Sequence, residues 1–360
     1  MRSLLARATD EPWRDAAGFS LASGRSAGYT GATAAGGAPR ATAAAQEPAS
    51  HARIASRTRG GATRRTETRR VSLVLWVASV LVTALVAVSA VSSVDAARAL
   101  RGRAVLAELL AALGDGRVDV VELGGTLKET TPVIQLPPPL ANTPGFKKHV
   151  ISAFDEKGPA WTWYWYEVGE HVGTHFDAPC HWVTGKDKPC LHRLDPRTLV
   201  GPIAVVDITR EAAANPDFVV TKETLLAWER RWGRIPKGAW VLLRSGWSKK
   251  YADPKAYFNV GPDGPHTPGM GASGARFLVT ERDIVGVGVE TIGTDAGQAF
   301  KENPPFPNHA IMHGAGKYGL TSLFNLERLP ATGAVLVVLP MKVEGGTGSP
   351  VRPLALVPRL

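Results

Sequence analysis

Residues 170–182 read Glu170-His171-Val172-Gly173-Thr174-His175-Phe176-Asp177-Ala178-Pro179-Cys180-His181-Trp182. Gly173, Thr174 and Pro179 argue against a helix, because glycine and β-branched residues weaken helices and an interior proline breaks them. In an extended segment side chains alternate, so positions 171, 173, 175 and 177 are predicted to share one face, with Gly173 leaving room between its neighbours. That face carries two imidazoles and a carboxylate, a donor set suited to a divalent metal with open coordination positions. His171, His175 and Asp177 are therefore the candidate ligands. A strand with scattered polar residues is the competing reading, and three of the chain's nine histidines within eleven positions weigh against it.

The pattern H-x-G-T-H-x-D-x-P-x-H over 171–181 resembles the signature of the metal-dependent cyclase family, which includes bacterial kynurenine formamidase and isatin hydrolase. Further matching pieces follow in order: V-V-D-I from 205, L-L-R-S-G-W at 242–247, H-T-P-G at 266–269, G-V-E-T-I-G-T-D at 288–295 and G-G-T-G-S-P-V-R at 345–352. The resemblance runs from about Val120 to the C-terminus. It implies a β-rich, barrel-like core with flanking helices, of the swivelling β/β/α type, assembled as a homodimer or homotetramer.

The net charge of +10 invites a nucleic-acid reading, which its location removes. Residues 1–70 hold 12 Lys/Arg against 5 Asp/Glu, residues 71–120 hold 4 against 4, and the remainder holds 26 against 23, or +3. A nearly balanced body has no electrostatic footprint for a phosphate backbone. The basic 1–70 tail is rich in Ala, Gly, Ser and Thr and is predicted to be disordered, unable to bury enough apolar surface to offset its ordering entropy. Arg69-Arg70 then introduces Val71–Val91, 21 uncharged residues, long enough to span a bilayer as a helix. With small residues following it, 71–97 reads as either a cleaved export signal or a retained membrane anchor. Its basic flank favours a cytoplasmic N-terminal side, with the later residues exported to the periplasm or beyond. Residues 98–118 read as a linker helix, Ala97–Gly114 being its helical stretch, and 119–360 as the hydrolase domain.

Within that domain, strand-like runs occur at Val118–Leu123, Ile203–Ile208, Ala239–Leu243, Ile284–Val289 and Ala334–Leu339. A helix is predicted at Lys222–Trp232 behind Thr221 as N-cap, with Glu223 in its first turn. Further helices are predicted at Thr280–Asp283 and from about Ser322. Strands mixed with a few helices and many Gly/Pro loops indicate an α/β domain. Cys180 and Cys190 read as free thiols, a short disulfide being the alternative.

One divalent ion, manganese or zinc, would polarise a carbonyl and lower the pKa of bound water to about 7, the two requirements of amide, imide or lactone hydrolysis of a small molecule. His181 is the candidate proton carrier, with a role orienting a ligand as the competing reading. The family resemblance assigns the corresponding histidine as acid/base. In two-metal members a histidine and, twelve residues on, a glutamate hold a second ion; here those positions are His309 and Thr321, followed by Ser322. A hydroxyl replaces a carboxylate poorly, which implies a one-metal site with His309 turned to substrate or water. His313 reads as a structural or loop histidine, because glycines at 314, 316 and 319 disfavour a helix, and His266 as structural. Alternation puts Trp161, Trp163 and Trp165 on one strand face, by default core, with a pocket wall for a flat substrate as the alternative; Phe176 is a further candidate for that wall. An exported metal-binding protein without turnover is the competing function, against which His181 argues.

Overall fold

The computed structural model describes residues 62–136 and 138–359. The expected disorder of the tail concerns residues that lie, up to 61, outside this range. Residues 62–70 begin a single helix, α1 (Ala62–Gly114), which runs through the whole of 71–97 and ends at Gly114 as the sequence suggests. Side chains of the uncharged run are described from Leu75 to Val86, and these are exposed. Among the described residues no helix is long and apolar enough to cross a membrane. A separate unit runs from Glu108 onward.

That unit is built on one nine-stranded mixed sheet curved into a half-barrel. In chain order its strands are β1 (Val118–Glu122), β4 (His175–Asp177), β5 (Val200–Asp207), β6 (Trp240–Arg244), β7 (Gly286–Val289), β8 (Tyr318–Thr321), β9 (Val335–Val337), β10 (Gly348–Pro350) and β11 (Leu354–Pro358). The spatial order is β1-β11-β9-β5-β6-β7-β8-β4-β10. β5, β6, β7 and β8 are parallel, and the pairings outside them are antiparallel. Strand alternation divides the apolar residues into two cores, one on each face. Ile203, Val205, Trp240, Leu242 and Leu320 enter one; Ala204, Val206, Val241, Leu243 and Val287 enter the other.

The second core is covered by helices. α2 (Lys222–Trp232) starts where predicted: the Thr221 side chain accepts from Thr224 N–H, and Leu225 and Trp228 are buried. The two later helices differ from expectation. α3 (Ala272–Phe277) lies upstream of 280 and passes into a π turn over Leu278–Arg282. Glycine-rich 271–274 reads as loop by propensity, yet a Cβ on Gly274 would meet the Val220 carbonyl at 2.6 Å, so close packing against 220 requires the glycine. α4 (Pro307–Gly314) precedes β8, whereas the segment after Ser322 holds only a 3-10 turn at Leu326–Arg328. Pro307 stands in its first turn, a position proline favours, and its first amides find an acceptor distant in sequence, described below.

β2 (Lys147–Ala153) and β3 (Thr162–Glu167) form a separate two-stranded hairpin. Trp163 and Trp165 on it, and Trp161 just before it, are 56%, 51% and 42% exposed, which corrects their default assignment to the core. The alternation is real, but among the described residues the hairpin pairs with no further strand and its tryptophan face stays exposed.

His266 is structural, as expected. Its ring lies between Asp217 (Nδ1–Oδ2 2.8 Å) and Asp263 (Nε2–Oδ1 2.9 Å), and hydrogen bonding to Asp217, then Asp263, raises its pKa. A raised folded-state pKa stabilises fully below the unfolded value of about 6.5 and loses that stabilisation as pH rises through the folded value. The melting temperature lost in His266→Gln should therefore be larger at about pH 5.5 than at about pH 8.5; an equal loss at both would show that the ion pairs contribute nothing.

Candidate metal centre

The site follows from the alternation in β4. Phe176 joins the first core, packed against Trp240 and Tyr318, which removes it from the pocket-wall candidates. His175 and Asp177 consequently point to the opposite face, toward α4. Only 175–177 is paired as strand, so the strand carries two of the four positions expected on one face. Gly173 has φ +64° and turns the chain, carrying His171 in from a loop. Gly173 thus directs the backbone and its carbonyl accepts from His175 Nδ1 at 2.8 Å; the room near the carboxylate comes from two other glycines. Gly319 of β8 and Gly348 of β10 both pair with Asp177. A Cβ on Gly319 would stand 2.7 Å from Asp177 Oδ2, and one on Gly348 would stand 2.3 Å from His171 Cε1.

Donor atoms of His171, His175 and Asp177 converge within 4.8 Å of one another. His171 Nδ1 lies 2.8 Å and His175 Nε2 3.4 Å from Asp177 Oδ1. Two imidazoles and one hard oxygen so placed fit a divalent ion. Burial alone would raise the Asp177 pKa, but the His175 and His171 rings hold it well below the usual carboxylate range. Each ring is aimed by a further partner, as metal-ligating histidines usually are. His171 Nε2 lies 3.2 Å from Thr347 Oγ1, whose hydroxyl donates to Glu170 at 2.5 Å. Thr321 Oγ1 sits 2.9 and 3.1 Å from the two ring nitrogens of His175. Thr321 therefore touches a candidate ligand from the position where the family resemblance expects a carboxylate.

His181 lies on a 3-10 turn, Pro179–His181, with its ring centroid 4.0 Å from that of His171. Burial, reinforced by His171, His309 and His313 and opposed by Asp177, pushes its pKa down to about 3. The preceding residue is anchored: Cys180 and Cys190 form a disulfide with Cα atoms 5.2 Å apart, where free thiols were expected. Sequence spacing does not set that distance; the path of 181–190 does.

The opposite wall is α4. His309 hydrogen-bonds through Nδ1 to Asp295, whose carboxylate also accepts from Asn308 N–H at 2.6 Å and His309 N–H at 3.1 Å. Burial lowers the His309 pKa and Asp295 outweighs it, for a net rise. His313 is fully buried on the same helix, which overturns the loop half of its structural-or-loop reading. The glycines that argued against a helix stand at its end and beyond it. Ser322 is elsewhere engaged: its hydroxyl accepts from Tyr257 at 2.9 Å and its carbonyl from Thr174 at 2.6 Å. The site aromatic is Trp182, 4.7 Å from the His309 ring, overlooked although it closes the diagnostic motif. Asp295 was also missed, its one signal being its place at the end of G-V-E-T-I-G-T-D. Glu290 in the same run is buried and accepts from Ser245 N–H at 2.6 Å, holding the loop after β6.

The "Putative cyclase" family model matches residues 121–296. Isatin hydrolase of Roseibium aggregatum is 46% identical over 263 residues, covering 72% of this chain and all of that protein. The chain belongs to the cyclase family. A crystal structure of an isatin hydrolase bound to the product analogue thioisatinate superposes with a TM-score of 0.70 at 46% identity, over 71% of this chain and 99% of that one. A kynurenine formamidase of Salinibacter ruber is 26% identical over 187 residues, covering 51% of this chain and 75% of that protein.

Gly348→Ala should push the His171 ring aside and weaken divalent-metal binding by roughly 10- to 100-fold, the usual effect of disturbing a ligand's support. Titration calorimetry with Mn²⁺ measures this, and unchanged affinity in a folded variant would remove His171 from the ligand set.

Proposed function

We propose that this chain hydrolyses the ring amide of isatin or a closely related cyclic amide, adding water across the C–N bond to give a carboxylate and an amine. The protein is a metal-dependent amide hydrolase of the cyclase family. The observation that carries the reading is the partly buried His181 ring standing 4.0 Å, centroid to centroid, from His171 beside the convergence of His171, His175 and Asp177. One divalent ion, Mn²⁺ or Zn²⁺, held by these three residues supplies carbonyl polarisation and acidification of water. His181, neutral at pH 7, accepts the proton of the attacking water and returns it to the leaving nitrogen. The nearby Asp177 carboxylate favours the imidazolium that forms between the two transfers. Trp182 and His309, their rings 4.7 Å apart and tilted by 42°, offer an aromatic wall for a flat ring. A protein that only bound metal would have no use for His181.

His175→Ala should remove most of the bound metal. His181→Ala should keep metal and fold while lowering kcat on isatin by roughly 10²–10⁴-fold, the range for a lost general acid/base. Isatin, an N-formyl arylamine, a cyclic imide and a lactone, each assayed with Mn²⁺ and Zn²⁺, define the substrate. Turnover of none, or near-normal turnover by a metal-replete His181→Ala, overturns the reading.

The domain acts outside the cytoplasm, exported or tethered through 71–91. The Arg69-Arg70 flank, the uncharged run and the Cys180–Cys190 disulfide support this, since disulfides persist in oxidising compartments. A reporter joined after Ala97 should be exported; retention in the cytoplasm with the upstream sequence intact counts against it. The protein works as a homodimer or homotetramer. The exposed tryptophans of β2–β3 support that, because an isolated two-stranded hairpin is marginal in water and clustered exposed apolar groups mark surfaces that become covered.

A further inference from the structure

Five imidazoles stand around the Asp177 carboxylate, and four of them are aimed by hydrogen bonds. His171 is held by Asp177 and Thr347, His175 by the Gly173 carbonyl and Thr321, His309 by Asp295, and His313 by the Lys317 carbonyl. The His181 ring takes no hydrogen bond from the described residues; it lies among the rings of His171, Trp182, His309 and His313, at 4.0 to 6.0 Å between centroids. A ring without such a partner keeps its place only as well as its backbone does. We propose that the Cys180–Cys190 disulfide positions His181 for proton transfer, so that the redox state of this pair sets the rate of turnover. The proposal rests on the role of proton carrier given to His181 above.

The bridge spans ten positions, and His181 and Trp182 are the first residues inside it. Its Cys190 end is fixed: Leu191 N–H donates to the Gly346 carbonyl at 2.9 Å, and Gly345 N–H donates to His192 Nδ1 at 3.0 Å. The next residue, Thr347, contacts His171, and its carbonyl accepts from Ala178 N–H at 2.8 Å. The bridge therefore ties residue 180 to the segment that orients a candidate metal ligand. The far side of the arc rests on α4, where the Thr184 hydroxyl donates to the Ala310 carbonyl at 2.7 Å and a Cβ on Gly185 would meet the His313 carbonyl at 2.7 Å. Residues 186–189 between these anchors are exposed. Breaking the bridge releases one of the two ties. Position 181 is then left with a single 3-10 turn, in which His181 N–H donates to the Ala178 carbonyl at 3.0 Å, and such turns have poorer hydrogen-bond geometry than an α-helix.

The chain has no other cysteine, and both of these are half-buried, within reach of a soluble thiol. In forming the bond the two thiols lose two protons and two electrons, which pass to a small-molecule or protein disulfide that leaves as two thiols. Reducing surroundings hold turnover down and oxidising ones raise it. This effect is separate from any stabilisation of the fold, which a disulfide contributes by restricting the unfolded chain.

Full-length protein loaded with Mn²⁺ is assayed on isatin in the oxidised state and after reduction by a phosphine, which is then removed under anaerobic conditions. Free thiols and bound manganese are measured on each sample. The sample with two free thiols should show kcat lower by roughly 10- to 100-fold, the scale of a small misplacement of a reacting group. Manganese content should be undiminished, KM should change less than kcat, and oxidation by glutathione disulfide should restore the rate. The Cys180→Ser/Cys190→Ser double variant should stay at the reduced level with or without phosphine; if it fails to fold, the unmodified protein decides. In His181→Ala, read at high enzyme concentration, reduction should leave the residual kcat unchanged, because the ring it would displace is gone. Unchanged kcat with two free thiols, loss of manganese on reduction, or the same fold-loss in His181→Ala overturns the positioning role and leaves the hydrolase reading intact. Near-normal turnover by metal-replete, oxidised His181→Ala instead overturns the reading of His181 and this proposal with it.

Discussion

The carboxylate of Asp177 is almost completely buried, and the surrounding site is arranged around that fact. A buried anion is tolerated only when positive or hydrogen-bonding groups compensate its lost hydration. Here the imidazoles of His171 and His175, from the same segment, do so, while His181 from the next turn and His309 and His313 from α4 stand around them. Room for five rings around one carboxylate exists because the residues paired with Asp177 on both neighbouring strands are glycines.

A second layer holds these rings in place. The Gly173 carbonyl, Thr347, Thr321, Asp295 and the Lys317 carbonyl each engage one imidazole. Asp295 has two duties, since it also caps the first turn of α4 and so fixes the helix and the ring together. Thr321 ends β8 and Asp295 follows β7, so these two partners lie at the carboxyl ends of parallel strands, the region where open α/β sheets commonly place their ligands. Glu290 in that same loop gathers the amides of 245–247, which ties the ends of β6 and β7 to one another.

Polar and apolar demands are separated across β4. Phe176 faces a core of Trp240, Tyr318 and Leu320, while its two neighbours face the site. A register slip of one residue would bury the phenyl ring among imidazoles and turn the histidine and aspartate into the apolar core. The antiparallel pairing of β4 with both β8 and β10 prevents that slip, and it explains why three residues of strand suffice.

Sequence alone determined the spacing of His171, His175, Asp177 and His181, the strand alternation that splits the two cores, the Thr221 cap of α2 and the termination of α1 at Gly114. These depend on neighbours within a few positions, where residue type and period carry the information. Tertiary structure decided what joins distant segments. It placed Gly319 and Gly348 beside Asp177, made Asp295 the cap of a helix thirteen residues later, closed the Cys180–Cys190 bridge and left the tryptophans of 161–165 exposed. His313 shows the reason most clearly. Local propensity disfavours a helix ahead of three glycines, but a distant carboxylate supplies the acceptor that its first amides need, and the helix then buries a histidine against an aspartate 136 positions away.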